Sequence, residues 1–173
     1  MRILTDPLPD SVTVDGTLCP INPDYRIMMR FSILGEAEEK SESDFLRILH
    51  DFYRGNPPPD LENAVEYLCW FASCGKRDKS NKRVSPDLKK QDRGFSFYVD
   101  QGIIYAAFQE AYHIDLSTAQ MHWWLFNELL DALPDHVLLM RVIHWRLADL
   151  KKLPKAQREF YRKMKETYAI RKK

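Results

Sequence analysis

Five histidines, three cysteines and twenty-five acidic side chains are the residues of this chain best suited to carry chemistry. Their spacing decides whether they do. A helical zinc site needs two imidazoles one turn apart, as in His-Glu-x-x-His, so that both rings reach one ion. His50, His113, His122, His136 and His144 contain no pair at that spacing. His122 and His144 each precede a tryptophan, and both read as residues at the edge of a core. Cys19, Cys69 and Cys74 are an odd set without a Cys-x-x-Cys pair, and Cys69 sits in the apolar run Tyr67-Leu68-Cys69-Trp70-Phe71, where a cysteine acts as a small hydrophobe. The six glycines form neither Gly-x-Gly-x-x-Gly nor a Walker sequence, and no Gly-x-Ser-x-Gly elbow occurs. The carboxylates are scattered over helix starts and charged faces, where capping accounts for them better than paired acid-base work. The pattern predicts a non-enzymatic protein with no catalytic residue, no cofactor and no metal.

What remains is surface, and its charge is uneven. The formal net charge is +1, yet Lys76 to Arg93 holds eight bases and three acids and Lys151 to Lys173 ten and two, which leaves −12 on the remainder. Such segregation favours oriented association with an acidic partner or with a second copy of the chain. The segment 76–93 has only Val84 and Leu88 as apolar residues, so it is expected to be a mobile basic loop. With no aromatic interleaved to stack on bases, a solvated linker is the better reading than a nucleic-acid-binding loop. An apolar share of 45% and an aromatic share of 12% argue against intrinsic disorder. No apolar run is long enough for a membrane span, and no signal-peptide pattern is seen, which predicts a cytosolic chain.

The elements are read from turn chemistry and periodicity. Residues 11–21 alternate about Asp15-Gly16, a hairpin signal because both turn positions want positive φ. Asn22-Pro23-Asp24 predicts a helix from Pro23 to about Leu34, capped by Asn22 and ended by Gly35. Ser41 and Ser43 are both candidate caps for a helix through Phe45, Ile48, Leu49 and Phe52 that ends at Gly55-Asn56. Asp60 caps a third helix, with a stripe of Leu61, Ala64, Val65, Leu68, Cys69 and Ala72 closed by Gly75. Phe95 to Val99 is a short strand or an anchor returning to the core. Asp100 caps the next helix, with Ile103, Ile104, Ala107, Phe108 and Ala111 on one face. Ser117-Thr118-Ala119-Gln120 reads as a capping box, stapled by Leu116 and Met121, opening a helix with Trp124, Leu125, Leu129, Leu130 and Leu133 inward. Asp135 caps a further helix whose core side is Val137, Met140, Ile143, His144 and Leu147. The fold class is therefore mainly α: a single helical domain over 1–173, of about six to seven helices with a small N-terminal β-hairpin.

A basic amphipathic helix over 154–170 closes this series. Phe160, Met164 and Tyr168 follow at steps of four beside Tyr161, and Arg158, Arg162, Lys163 and Lys165 cover the other side. An aromatic stripe of this kind serves a core or a partner. The candidate partner-binding residues are accordingly Phe160, Tyr161, Met164, Tyr168, Arg162, Lys163 and Lys165.

Several blocks of this sequence resemble the phage family known as gene product fifteen, found in the tail-morphogenesis region of siphophages and prophages. They are Ile3-Leu4-Thr5-Asp6 with Leu8-Pro9, Asp15-Gly16, Ile21-Asn22, Trp70-Phe71 with Cys74-Gly75, Ile104-Tyr105-Ala106-Ala107-Phe108 and Ile114-Asp115-Leu116. His122-Trp123-Trp124, the run Leu129 to Pro134 and Phe160-Tyr161-Arg162-Lys163-Met164-Lys165 complete the set. Members of that family lie beside the tape-measure gene, and the resemblance implies a tail assembly chaperone. The partners so implied are the tape-measure protein and the tail-tube protein, in the host bacterial cytoplasm and absent from the mature particle, and the charge segregation adds a second copy in a homo-oligomer. Nucleic acid and membrane are not among them. The two rival readings are a minor tail protein retained in the particle and a nucleic-acid-binding protein using its basic segments.

Overall fold

Asp15 and Gly16 both take positive φ, 48° and 78°. That turn joins β1 (Ser11–Val14) to β2 (Thr17–Pro20) in the antiparallel register Val12 to Cys19 and Val14 to Thr17. The alternation buries Val12, Val14 and Cys19 and leaves Leu18 outward. In the computed structural model, residues 3–76 and 94–171 are described, and they contain this hairpin and seven helices. The expected basic loop, beyond Lys76, lies outside the described residues.

The described residues divide into two compact units, 3–76 with 120–129, and 94–119 with 130–171. The first holds the hairpin, α1 (Tyr25–Glu36), α2 (Glu42–Phe52), α3 (Leu61–Ala72) and the start of α5 (Trp123–Asp131). The second holds α4 (Gln101–Tyr112), the end of α5, α6 (Leu138–Leu147) and α7 (Lys155–Thr167). In the first unit the core is aromatic: Phe52 meets Tyr53 edge-on at 4.9 Å and Phe71 at 5.3 Å, and Tyr25 stacks on Phe126 at 4.8 Å.

Helix starts follow side-chain capping where the cap is local. Ser41 accepts from the Asp44 N–H, and Asp60 accepts from the N–H groups of Glu62 and Asn63. α2 and α3 end in the same way. Arg54 and Cys74 take left-handed φ of 52° and 55°, and Gly55 and Gly75 then donate back to His50 O at 2.8 Å and Trp70 O at 3.1 Å.

Elsewhere long-range pairing moves the boundaries. α1 begins at Tyr25, capped by Asp24 rather than Asn22, because Asn22 turns inward to accept the Asp24 N–H, and it runs past Gly35 to Glu36. The capping box at Ser117 does not open a helix. Asp115 takes both the N–H and the hydroxyl of Ser117, at 2.8 and 2.6 Å, and folds that segment into a turn. Residues 121–123 then pair with 23–25, Tyr25 N to Met121 O and Trp123 N to Pro23 O, so α5 cannot start before Trp123. No strand forms at Phe95 to Val99. Ser96 Oγ accepts from Tyr98 and Val99 there, and Phe97 is the buried anchor. α6 starts at Leu138 behind Val137 rather than Asp135, which rotates its face: Leu139, Val142 and Trp145 are buried, while His144 and Leu147 are exposed. Leu61 and Leu125, expected inward, are also exposed.

Candidate functional site

α7 is the most amphipathic of the described helices, and none of its residues is buried. Its stripe lies on α6. Trp145 stacks on Tyr168 at 5.5 Å and meets Phe160 edge-on at 6.0 Å, while Arg141 covers the indole at 5.1 Å. Phe160 stays 50% exposed, and Tyr161, Met164 and Tyr168 are half-buried. Arg162 and Lys163 are exposed and Lys165 is half-buried, with Arg162 paired to Glu159 within one turn. Six of the seven predicted partner-binding residues thus sit on α7 and Tyr168 follows at its C-terminal cap, and the rings of Phe160 and Tyr168 divide their surface between Trp145 and solvent.

One residue that sequence reasoning did not single out, Arg146, ties this helix to the rest of its unit. Arg146 donates through Nε to Tyr168 O at 2.6 Å and through Nη1 to Gly94 O at 2.9 Å. Its Nη1 and Nη2 also grip the Asp100 carboxylate at 2.6 and 2.9 Å. Asp100 stands before α4 but makes no capping bond; its carboxylate faces the guanidinium and the Ser96 N–H instead. The local sequence shows a cap, and only the fold shows the ion pair.

In the first unit, His122-Trp123-Trp124 closes the end of α3. The last carbonyls of a helix lack partners within it. Here the Trp123 indole donates to Ala72 O at 2.9 Å and the Trp124 indole to Phe71 O at 2.8 Å. His122 caps α5, its Nδ1 accepting from the Trp124 N–H at 3.0 Å, which puts the ring proton on Nε2 to donate to Pro9 O at 3.1 Å. Parts of three of the blocks quoted above therefore meet: Pro9, then Trp70-Phe71 with Gly75, and His122-Trp123-Trp124.

The chain matches the family model described as "Bacteriophage Gp15 protein" over residues 4–170. It belongs to that family. No curated protein and no solved structure matches it. In this Gp15-family chain the His-Trp-Trp block is thus a structural lock, with both ring nitrogens of His122 engaged in hydrogen bonds.

Burial holds the His122 imidazole below its ordinary value of 6.5, an effect the bond to Pro9 partly offsets. The folded chain then binds this proton more weakly than the unfolded chain. The resulting stability is complete above pH 6.5 and is lost as pH falls through the lower folded value. Thermal unfolding between pH 7 and 5 should therefore fall more steeply for the native chain than for His122→Asn, which keeps a capping oxygen but does not titrate. Equal slopes would mean that folding leaves the proton affinity of His122 unchanged.

A second feature of the first unit is an open cleft of about 930 Å³ between the start of α1, the end of α2 and residues 120–122. Arg26, Arg30 and Arg54 line it beside Asp24, Asp51, His50 and His122. Asp24 pairs with Arg26 at 3.1 Å and Asp51 with Arg30 at 3.0 Å. No group of three or more His, Cys, Asp or Glu able to hold a metal is present among the described residues, and the cysteines form no disulfide. No described helix is long and apolar enough to cross a membrane.

Proposed function

We propose that this chain is a non-enzymatic tail assembly chaperone, which binds the tape-measure protein in the host cytoplasm and is absent from the finished particle. The observation that carries this reading is α7, an amphipathic helix with no buried residue and a Phe160 ring half in solvent. A tape-measure protein is long and helical, with apolar stripes exposed until tube subunits enclose it. A half-covered aromatic and methionine stripe on a basic helix suits reversible docking of such stripes. Membership of a phage family supports the setting. The tail-tube protein is the second partner proposed, and the uneven charge favours a homo-oligomer in which the basic C-terminal region of one copy meets the acidic surface of another.

Co-expression with the tape-measure protein of the same phage, followed by size exclusion of the soluble fraction, tests this. The long protein should be soluble only in the presence of this chain and should co-elute with it. Phe160→Ser should leave the fold intact and weaken the complex by about 2 kcal/mol, some thirtyfold, as loss of a central aromatic contact does. A tape-measure protein that stays insoluble beside a well-folded chain would sink the proposal. A stoichiometric band in purified particles would instead favour the minor tail protein.

A further inference from the structure

The cleft of the first unit concentrates positive charge where the surroundings are negative. Among its described residues the unit carries fourteen acids and six bases. Three of those six bases, Arg26, Arg30 and Arg54, line this one cleft, with only two of the acids, Asp24 and Asp51. Both acids are already engaged, Asp24 with Arg26 and Asp51 with Arg30. Arg54 has no carboxylate partner among the described residues. Its Nε donates to Ile21 O at 2.8 Å, which orients the guanidinium and leaves the Nη1 and Nη2 edge for a ligand.

A planar pair of N–H donors held in one orientation matches a carboxylate, which accepts two parallel bonds. The volume of about 930 Å³ is large for a single small oxyanion and suits several residues of a peptide. Pro23, Ile27 and Met121 add apolar wall to the same space. A nucleic-acid strand fits less well, because it carries a charge at every phosphate onto a unit with twelve further acids, whereas a peptide can place one carboxylate in the cleft and uncharged residues beyond it.

We propose that this cleft binds an acidic peptide segment, one carboxylate seated on the Nη edge of Arg54, with Arg30 and Arg26 flanking it. The inference is independent of what α7 binds.

The test is a fluorescence-polarisation titration of the full chain with a labelled peptide of about ten residues made of Glu, Ala and Leu. Arg54→Gln should weaken binding about tenfold through loss of the bidentate pair, and Arg30→Gln severalfold. The second variant leaves the bond to Ile21 intact, so it reads charge without disturbing that tie. Lys163→Gln with Lys165→Gln on α7 should change affinity less than twofold. Binding unaffected by both cleft variants, or lost with the α7 variant, overturns the proposal. Equal capture of inorganic phosphate or of a single-stranded oligonucleotide in an Arg54-dependent way overturns the peptide assignment. An affinity for the tape-measure protein that persists in Arg54→Gln leaves this site distinct from the chaperone surface.

Discussion

Arg146→Met is expected to destabilise the second unit by about 3–5 kcal/mol, the range for removing one partner of a buried ion pair. The Asp100 side chain is 2% exposed and that of Arg146 9%. Without the guanidinium, Asp100 keeps the Ser96 N–H and loses two charge-assisted bonds of 2.6 and 2.9 Å. Two carbonyls also lose a donor, Gly94 O at the start of the described segment and Tyr168 O at the end of α7. In thermal unfolding the midpoint should drop by about 10 °C. Hydrogen exchange should rise at the C-terminal end of α7, because the side-chain tie to Tyr168 is gone. The double variant Arg146→Met with Asp100→Leu should recover much of the loss, since no uncompensated charge stays buried. A single variant no less stable than the double would show that the pair carries no charge penalty.

That pair also marks where local reading of the sequence ends. The Asp15-Gly16 turn and the caps Ser41 and Asp60 were legible because each is decided within three residues, by the φ preference of the turn or by one oxygen reaching the next N–H groups. Asp100 looks like those caps, yet its partner is forty-six residues away, and the stronger charge-assisted bonds win. Ser117 shows the same competition at short range. The box pattern was complete, but Asp115 two residues earlier offered a closer acceptor, and pairing of 121–123 with 23–25 fixed the helix start downstream.

The candidate surface on α7 was legible in another sense. Phe160, Met164 and Tyr168 share a face on periodicity alone, whereas the identity of what they meet, Trp145 beneath Arg141, depends on the rotation of α6. Asp135 as a cap gave the wrong rotation, with His144 and Leu147 inward in place of Trp145. The cleft left no sequence signal, because Arg26 and Arg30, one turn apart on α1, gain meaning only beside Arg54 from the end of α2.

Trp124→Ala should cost the first unit about 3–5 kcal/mol, the usual range for emptying a buried aromatic site. Trp124 is buried and meets Trp70 at 5.5 Å, Phe71 at 5.7 Å and His122 at 5.8 Å, and its indole N–H donates to Phe71 O at 2.8 Å. Gly75 lies under the same ring, with φ of +71°, and a Cβ there would stand 3.1 Å from Trp124 Cη2. Gly75→Ala therefore meets two penalties, about 1–2 kcal/mol for the left-handed backbone and a further steric one against the indole. The second should vanish when the ring shrinks. In a double-mutant cycle, Gly75→Ala should cost less in a Trp124→Phe background than in the native chain, by about 0.5–1 kcal/mol. Denaturant unfolding of the four proteins measures the coupling. Strict additivity would mean that Trp124 already has room to shift, and that the glycine is held at position 75 by its backbone conformation alone.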